Sequence, residues 1–338
     1  MYAYRIKKHQ LVFNIPAKTS RNTFKTRDIY LIRLSKQGNA KIGIGEAAPL
    51  SLLSVDDIDN YEEILHQKLT EFCQVGNVDE LELHNYPSIN FGLETALLSL
   101  QSKGNEVLYA TPFTKGETAI PINGLVWMSD TKTMLEEAFN KIEAGFNVIK
   151  FKVGAQDFDD ECRMLEEIRK KYSAFKITLR LDANGAFKPD EAAEQLSELN
   201  RFEIHSIEQP IMPKQWDAMA KLCAETKVDI ALDEELIGCD LSQGDRLLNA
   251  IKPQYLILKP NLIGGLANAT CWVKLAEKHN IGWWATSALE SNVGLNAIAQ
   301  WVSQYDNLIH QGLGTGALFK NNIATNLVLK NGFMRYKV

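Results

Sequence analysis

Ile177-Thr178-Leu179-Arg180-Leu181-Asp182-Ala183-Asn184 holds a strand-like run that ends on a charged residue, Asp182, and the same design recurs three times downstream. Ile204 to Ile207 ends on Glu208, Asp229 to Leu232 on Asp233, and Tyr255 to Leu258 on Lys259. The intervals are 208 − 182 = 26, 233 − 208 = 25 and 259 − 233 = 26 residues. About 25 residues is the length of one strand, a loop and a helix, so the four polar groups fall at equivalent places in successive βα units. In a parallel β/α barrel those places are the C-terminal ends of neighbouring strands, where such folds carry their chemistry.

Working outward, the alternation predicts strands at 119–124, 148–152, 177–182, 204–208, 229–233, 255–259, 283–287 and 308–312. Helices are expected between them at 131–144, 158–171, 189–199, 213–225, 242–250, 264–279 and 291–303, with Asp130 and Pro189-Asp190 as start signals. Eight strands with seven helices describe an α/β fold, a (β/α)7β TIM-like barrel; a doubly wound open sheet is the structural alternative. The first third differs. Three β-like stretches (Tyr2–Phe13, Arg27–Leu34, Lys41–Ala48) precede two helical ones, the second through Phe91, Leu93, Ala96, Leu97 and Leu100 and stopped by Gly104. That is an antiparallel meander followed by helices, an α+β capping domain over 1–115. The barrel is expected over 116–316, and 317–338 is expected to return to the capping unit.

Composition excludes several classes. Hydrophobic residues make up 45% and charged residues 23%, ordinary for a globular chain, and the net charge of −5 comes without a basic block. Nucleic acid and anionic membrane surfaces are therefore not expected partners. The amino terminus lacks the apolar core of a signal peptide, and no apolar run reaches the roughly 18–20 residues of a membrane span. The five cysteines are scattered without Cys-x-x-Cys spacing, so they read as reduced thiols, and the chain is expected in the cytoplasm. Oligomeric state leaves no signature in this pattern.

The chemistry is in the strand ends. Lys150 and Lys152 are two apart on one strand, so they project to the same side; buried in packing, two unpartnered ammoniums would cost several kcal/mol. They are expected in the polar mouth, and the same parity places Arg180 beside Asp182. Asp182, Glu208 and Asp233 offer hard oxygen ligands only, which suits Mg2+ or Mn2+ and not zinc. Spacing leaves open whether Asp233 or the adjacent Glu234 or Glu235 is the ligand. Lys152 and Lys259 come from strands two and six of eight and face each other across the mouth. A cation flanked by two bases is what proton abstraction next to a carboxylate requires, because the developing enediolate needs electrostatic stabilisation.

Lys150-Phe151-Lys152, Asp182-Ala183-Asn184, Glu208-Gln209-Pro210, Asp233-Glu234 and Lys259-Pro260-Asn261 resemble the motifs of the enolase superfamily, muconate-lactonizing subgroup. The resemblance spans nearly the whole chain and brings a known mechanism with it, a lysine base and Mg2+ acting on an ene-diolate. It implies metal-ligand roles for Asp182, Glu208 and Asp233 and acid/base roles for Lys152 and Lys259.

Within the subgroup, three stretches are most similar to the o-succinylbenzoate synthases: Gly45-Glu46-Ala47-Ala48-Pro49-Leu50, Thr286 through Gly294, and Gly312-Leu313-Gly314-Thr315-Gly316. That likeness implies dehydration of 2-succinyl-6-hydroxy-2,4-cyclohexadiene-1-carboxylate to 2-succinylbenzoate, a step in menaquinone biosynthesis. Lys152 would remove the proton α to the carboxylate, and Lys259 would stay protonated on the other face. It further implies that Lys150, Arg180, Ser287, Gly312 and Gly314 contact this small-molecule carboxylate substrate. Racemisation of N-succinylamino acids is the alternative on the same scaffold. Dipeptide epimerisation is less favoured, since Gly312-Leu313-Gly314 stands where those enzymes carry an Asp-x-Asp. A catalytically silent barrel used for binding is the reading from another class. In the capping unit, the loop Ala17–Thr23 and the stretch Leu50–Leu53 are expected to shape specificity. Arg21 is read as a solvated turn arginine, with a succinyl carboxylate as its alternative partner.

Overall fold

The computed structural model describes residues 1–18, 23–102, 106–307 and 309–338. Arg21 and Gly104 lie outside the described residues.

The amino-terminal unit begins with the long strands β1 (Tyr2–Lys18) and β2 (Thr23–Lys36) and the shorter β3 (Ile42–Ala47), all antiparallel in the order β1-β2-β3. Helices α1 (Tyr61–Val75) and α2 (Pro87–Gln101) cover one face. Their apolar sides, with Leu65, Leu69, Phe72 and Leu93, bury against Ile32 and Leu34 of β2. Helix α2 lies directly on β3 because Gly45 and Gly92 have no side chains there: a Cβ on Gly45 would stand 2.0 Å from the Gly92 carbonyl oxygen.

The alternating region gives β4 (Ile120–Pro121), β5 (Gly124–Val126), α3 (Thr131–Glu143), β6 (Val148–Lys152), α4 (Phe158–Lys171), β7 (Thr178–Asp182), α5 (Ala192–Leu199), β8 (Ser206–Glu208) and α6 (Trp216–Glu225). It continues with β9 (Asp229–Leu232), α7 (Leu241–Ile251), β10 (Tyr255–Leu258), α8 (Gly265–Lys278), β11 (Gly282–Ala285) and α9 (Asn292–Val302). Strands β5 to β11 form one parallel sheet of seven in strict chain order, curled as a half-barrel. The order has no reversal of direction, which removes the doubly wound alternative. Each helix buries its apolar stripe on the sheet; α4 also carries Asp159, Asp160 and Glu161 in its first turn and Arg169, Lys170 and Lys171 in its last, matching the helix dipole.

Two expected strands differ. The stretch 119–124 divides, so that Ile120–Pro121 pairs antiparallel with Phe333–Met334 and only Gly124 onward joins the parallel sheet. Pro121 lacks the amide that a central strand would use. Of the expected strand 308–312, Gln311 bridges Ile122 and Gly312 bridges Thr286, at the two ends of the sheet. The carboxy-terminal segment makes contacts on both sides. Phe319 bridges Phe13 of β1, whereas the hairpin β12 (Leu327–Lys330) and β13 (Phe333–Tyr336) pairs with β4. The five cysteines are free thiols. Among the described residues no helix is long and apolar enough to cross a membrane.

Candidate active site

Parallel register sets the site. Lys152, Asp182 and Glu208 are aligned across β6, β7 and β8, so three charged side chains emerge at one level. Asp182 is 0% exposed, Glu208 2%, Asp233 1%, Lys150 4%, Lys152 8% and Lys259 7%. Charges this deep must be mutually paired. Asp182 Oδ2 accepts from Lys150 at 2.7 Å and from Lys152 at 2.6 Å. Lys150 also pairs with Glu208, and Lys259 with Asp233, while Lys259 Nζ lies 3.7 Å from Glu208 Oε1.

Electrostatics follow from this packing. Burial opposes ionisation of Asp182, but the ammoniums of Lys150, Lys152 and Lys259 outweigh it and hold the carboxyl well below the usual range. Glu208 is pushed up by burial and by the charge of Asp182, and Asp233 is pushed up by burial. Burial would lower Lys259, yet Asp233, Glu208, Glu234 and Asp182 raise it above the ordinary lysine value. Lys150 is raised likewise by Asp182 and Glu208 against its burial.

The loops after the strands fix these groups. Asn184, in the left-handed region at φ 48°, accepts from Lys152 through Oδ1 at 2.9 Å and donates to Glu234 at 3.0 Å. Gln209 Oε1 accepts from the amides of Asp233 and Glu235 at 3.2 and 3.3 Å. The three acids at 233–235 diverge: Asp233 meets Lys259, Glu234 lines the cavity, and Glu235 turns away to accept from the Trp216 indole and the Lys214 amide, each at 2.8 Å.

Above this floor lies a cavity of about 920 Å³, open mouth included. Lys150, Lys152, Lys259, Ser287, Gly312 and Gly314 line it on the side of the parallel sheet. Phe24, Leu50, Leu52 and Leu53 of the amino-terminal unit form an apolar wall, joined by Leu125 and Trp127. Arg180 shares the face of Asp182 but sits two residues deeper, outside the cavity lining. Its guanidinium stacks 3.9 Å from the Trp284 ring centre and donates to the His310 carbonyl at 2.7 Å. Burial lowers its pKa to about 10.

The acids fit a hard divalent cation by donor type, all oxygen and buried. Among the described residues, Glu208 Oε1 is buried with no hydrogen-bond partner. Among the described residues, no three acidic, histidine or cysteine side chains converge as they stand closely enough to hold an ion. Lys150 stands between Asp182 and Glu208, and Lys259 between Glu208 and Asp233, supplying the positive charge the trio requires.

Residues 133–337 match the family model described as Enolase C-terminal domain-like. The chain belongs to the enolase superfamily. The chemistry of this superfamily uses a divalent metal. Residues 1–100 match a model described as MenC, N-terminal domain, so both units of this superfamily member have counterparts. It is 40% identical to the o-succinylbenzoate synthase of Desulfotalea psychrophila, over 97% of each chain. The crystal structure of MenC from that organism superposes with a TM-score of 0.87 at 37% identity, covering 99% of each chain. The L-Ala-D/L-Glu epimerase of Bacillus subtilis has the same fold, with a TM-score of 0.86 at 20% identity over 99% of this chain and 95% of its own.

Proposed function

We propose that this chain is an o-succinylbenzoate synthase, converting 2-succinyl-6-hydroxy-2,4-cyclohexadiene-1-carboxylate to 2-succinylbenzoate and water. The observation that carries the reading is the placement of Lys152 and Lys259 on one cavity, above buried Asp182, Glu208 and Asp233, in a chain related to that enzyme along almost its full length.

Asp182, Glu208 and Asp233 are the residues that would hold the metal, Mg2+ with Mn2+ as a substitute. When bound, such a cation supplies positive charge where the substrate carboxylate gains negative charge. Lys152, oriented by Asp182 and Asn184, takes the ring proton α to that carboxylate. The C–O bond to the ring hydroxyl then breaks, and the Lys152 ammonium returns its proton to the leaving oxygen, giving water and the aromatic ring. Lys259 is kept protonated by its acidic neighbours and faces the developing negative charge from the other side. The apolar wall of Phe24, Leu50 and Leu53 suits the ring and excludes water. Lys150, Ser287, Gly312 and Gly314 are the polar and small residues available to the succinyl arm and the ring carboxylate. Arg180 supports the floor from below and is not assigned a substrate contact.

We also infer that Gln311 and Gly312 close the sheet as a reduced eighth strand, completing the (β/α)7β barrel over 116–316, with 1–115 as its cap. Both bridges support this closure, because one residue pairs with each end of the sheet. The cytoplasm is the expected compartment for this chemistry, acting on a small molecule.

Purified protein with Mg2+ and the cyclohexadiene substrate is expected to give the product absorbance of 2-succinylbenzoate. N-succinylamino acids in deuterated water are run beside it. Rapid α-deuteration of both enantiomers without dehydration would replace this reading with racemisation.

A further inference from the structure

Arg27, on β2, is 5% exposed although it carries a charge. Its guanidinium donates in two directions, to the carbonyl of Ala288 and to the carbonyl of Ala48 at 2.6 Å. Those carbonyls belong to two segments that reach the cavity: Ala48 leads into Leu50–Leu53 of the cap, and Ala288 sits within the loop of Ser287 and Leu289. Asn261, fully buried and two residues beyond Lys259, donates to the same Ala48 carbonyl at 2.6 Å.

The buried charge is answered locally. Burial pushes the Arg27 pKa down, and Glu290 and Glu46, both 0% exposed, push it up. Both acids are themselves held. Glu46 accepts from Ser291 N at 2.8 Å, Ser291 Oγ at 2.5 Å and Gly294 N at 2.8 Å, at the start of α9. Glu290 accepts from Ser287 Oγ at 2.6 Å, and that oxygen in turn accepts from Thr315 Oγ1 at 2.8 Å and Leu289 N at 3.0 Å. Arg27 therefore reaches the cavity segments through the Ala288 and Ala48 carbonyls, while Glu290 reaches the Ser287 and Thr315 hydroxyls on the cavity surface.

We propose that Arg27 is a positioning residue, a latch that fixes the separation of the cap loop 48–53 and the barrel loop 287–289 and thereby sets how tightly the cavity grips its cyclic dicarboxylate. This rests on the dehydration reading above. Two divergent donors on one rigid plane are needed, which a lysine ammonium cannot supply at the same spacing.

The test compares wild type, Arg27→Met, Arg27→Lys and Leu65→Ala. The last truncates the cap core and loosens the same domain without touching either carbonyl. Loss of two carbonyl contacts from a charged donor is expected to raise KM about tenfold or more in both Arg27 variants, with a smaller change in kcat. Hydrogen exchange supplies a readout without substrate. The amides of Leu53 and Leu289, bonded to Leu50 O and Ser287 Oγ at 3.0 Å each, should exchange faster in Arg27→Met and Arg27→Lys and stay protected in Leu65→Ala. Unchanged exchange in the Arg27 variants overturns the latch. So does faster exchange with an unaltered KM, or an equal KM rise in Leu65→Ala. If wild type fails to dehydrate the substrate, the functional reading fails, and exchange alone then decides the latch.

Discussion

Lys150 and Lys152 leave β6 on the same face, yet substituting each should break a different thing. In Lys152→Met, Asp182 keeps Lys150 at 2.7 Å, so no carboxylate is stranded, but the proposed base is gone. A positioned acid/base group is worth about 10²–10⁴ in rate. At about 1.36 kcal/mol per decade, that is roughly 2.7–5.4 kcal/mol of barrier. In Lys150→Met, Glu208 loses its close partner and, among the described residues, keeps Lys259 as its one ion-pair partner, at 3.7 Å. Stranding a buried charge costs about 3–5 kcal/mol. With unfolding entropy near 2.1 cal/mol/K per residue, 338 residues give roughly 0.7 kcal/mol/K, so Tm should fall by about 4–7 °C. The assays are product absorbance at saturating substrate and Mg2+, and thermal melts without Mg2+. Lys152→Met is expected to lose at least about a hundredfold in kcat with a small change in Tm, and Lys150→Met to show the larger Tm loss. Lys152→Met within tenfold of wild type, or equal melting losses in the two variants, would refute the division of labour.

Gly312→Ala and Gly314→Ala should separate sharply in melting temperature and KM. A Cβ at 312 meets Thr286 Oγ1 at 2.5 Å and must push the sheet edge, whereas at 314 it finds Ile122 at 3.4 Å, an ordinary contact, so only the first should lower Tm. Burial raises Glu161 to about 7, above the ordinary carboxyl value of 4.5. Its folded-state pKa is the higher one, so its stabilisation is full below about 4.5 and lost as pH climbs through 7. Glu161→Gln should therefore flatten the fall of Tm between about pH 5 and 8. Mg2+ at 100 times its Kd should stabilise the fold by about 2.7 kcal/mol, or roughly 4 °C, in differential scanning calorimetry. Asp182→Asn should abolish that shift.

The curled parallel sheet was legible because strand ends repeat on a fixed interval, and Asp182, Glu208, Asp233 and Lys259 mark four of them. Side-chain parity likewise placed Lys150 and Lys152 on the cavity. Parity did not give depth. Arg180 faces the same way as Asp182, but two residues at about 3.3 Å each carry it well below the mouth, onto Trp284. Counting back from the strand end would have shown this. The first and last strands were blurred because Pro121 and Gly312 weaken the local β signal. Asn184 stood within a quoted motif, but its grip on Lys152 depends on a left-handed backbone that no spacing reveals. Glu46 and Asn261 stood within motifs without a role of their own, and Arg27 only opened a β-like stretch, since their partners lie far away in the chain; Glu46 meets Ser291 across 245 residues. Contacts of that range leave no periodic trace.

Turnover of the cyclohexadiene carboxylate by wild type and Asp182→Asn, before chelation, after EDTA and after Mg2+ is restored, tests the site most directly. The expected result is 2-succinylbenzoate from wild type alone, lost on chelation and regained with Mg2+. Equal product formation under chelation, or by Asp182→Asn, would contradict the account.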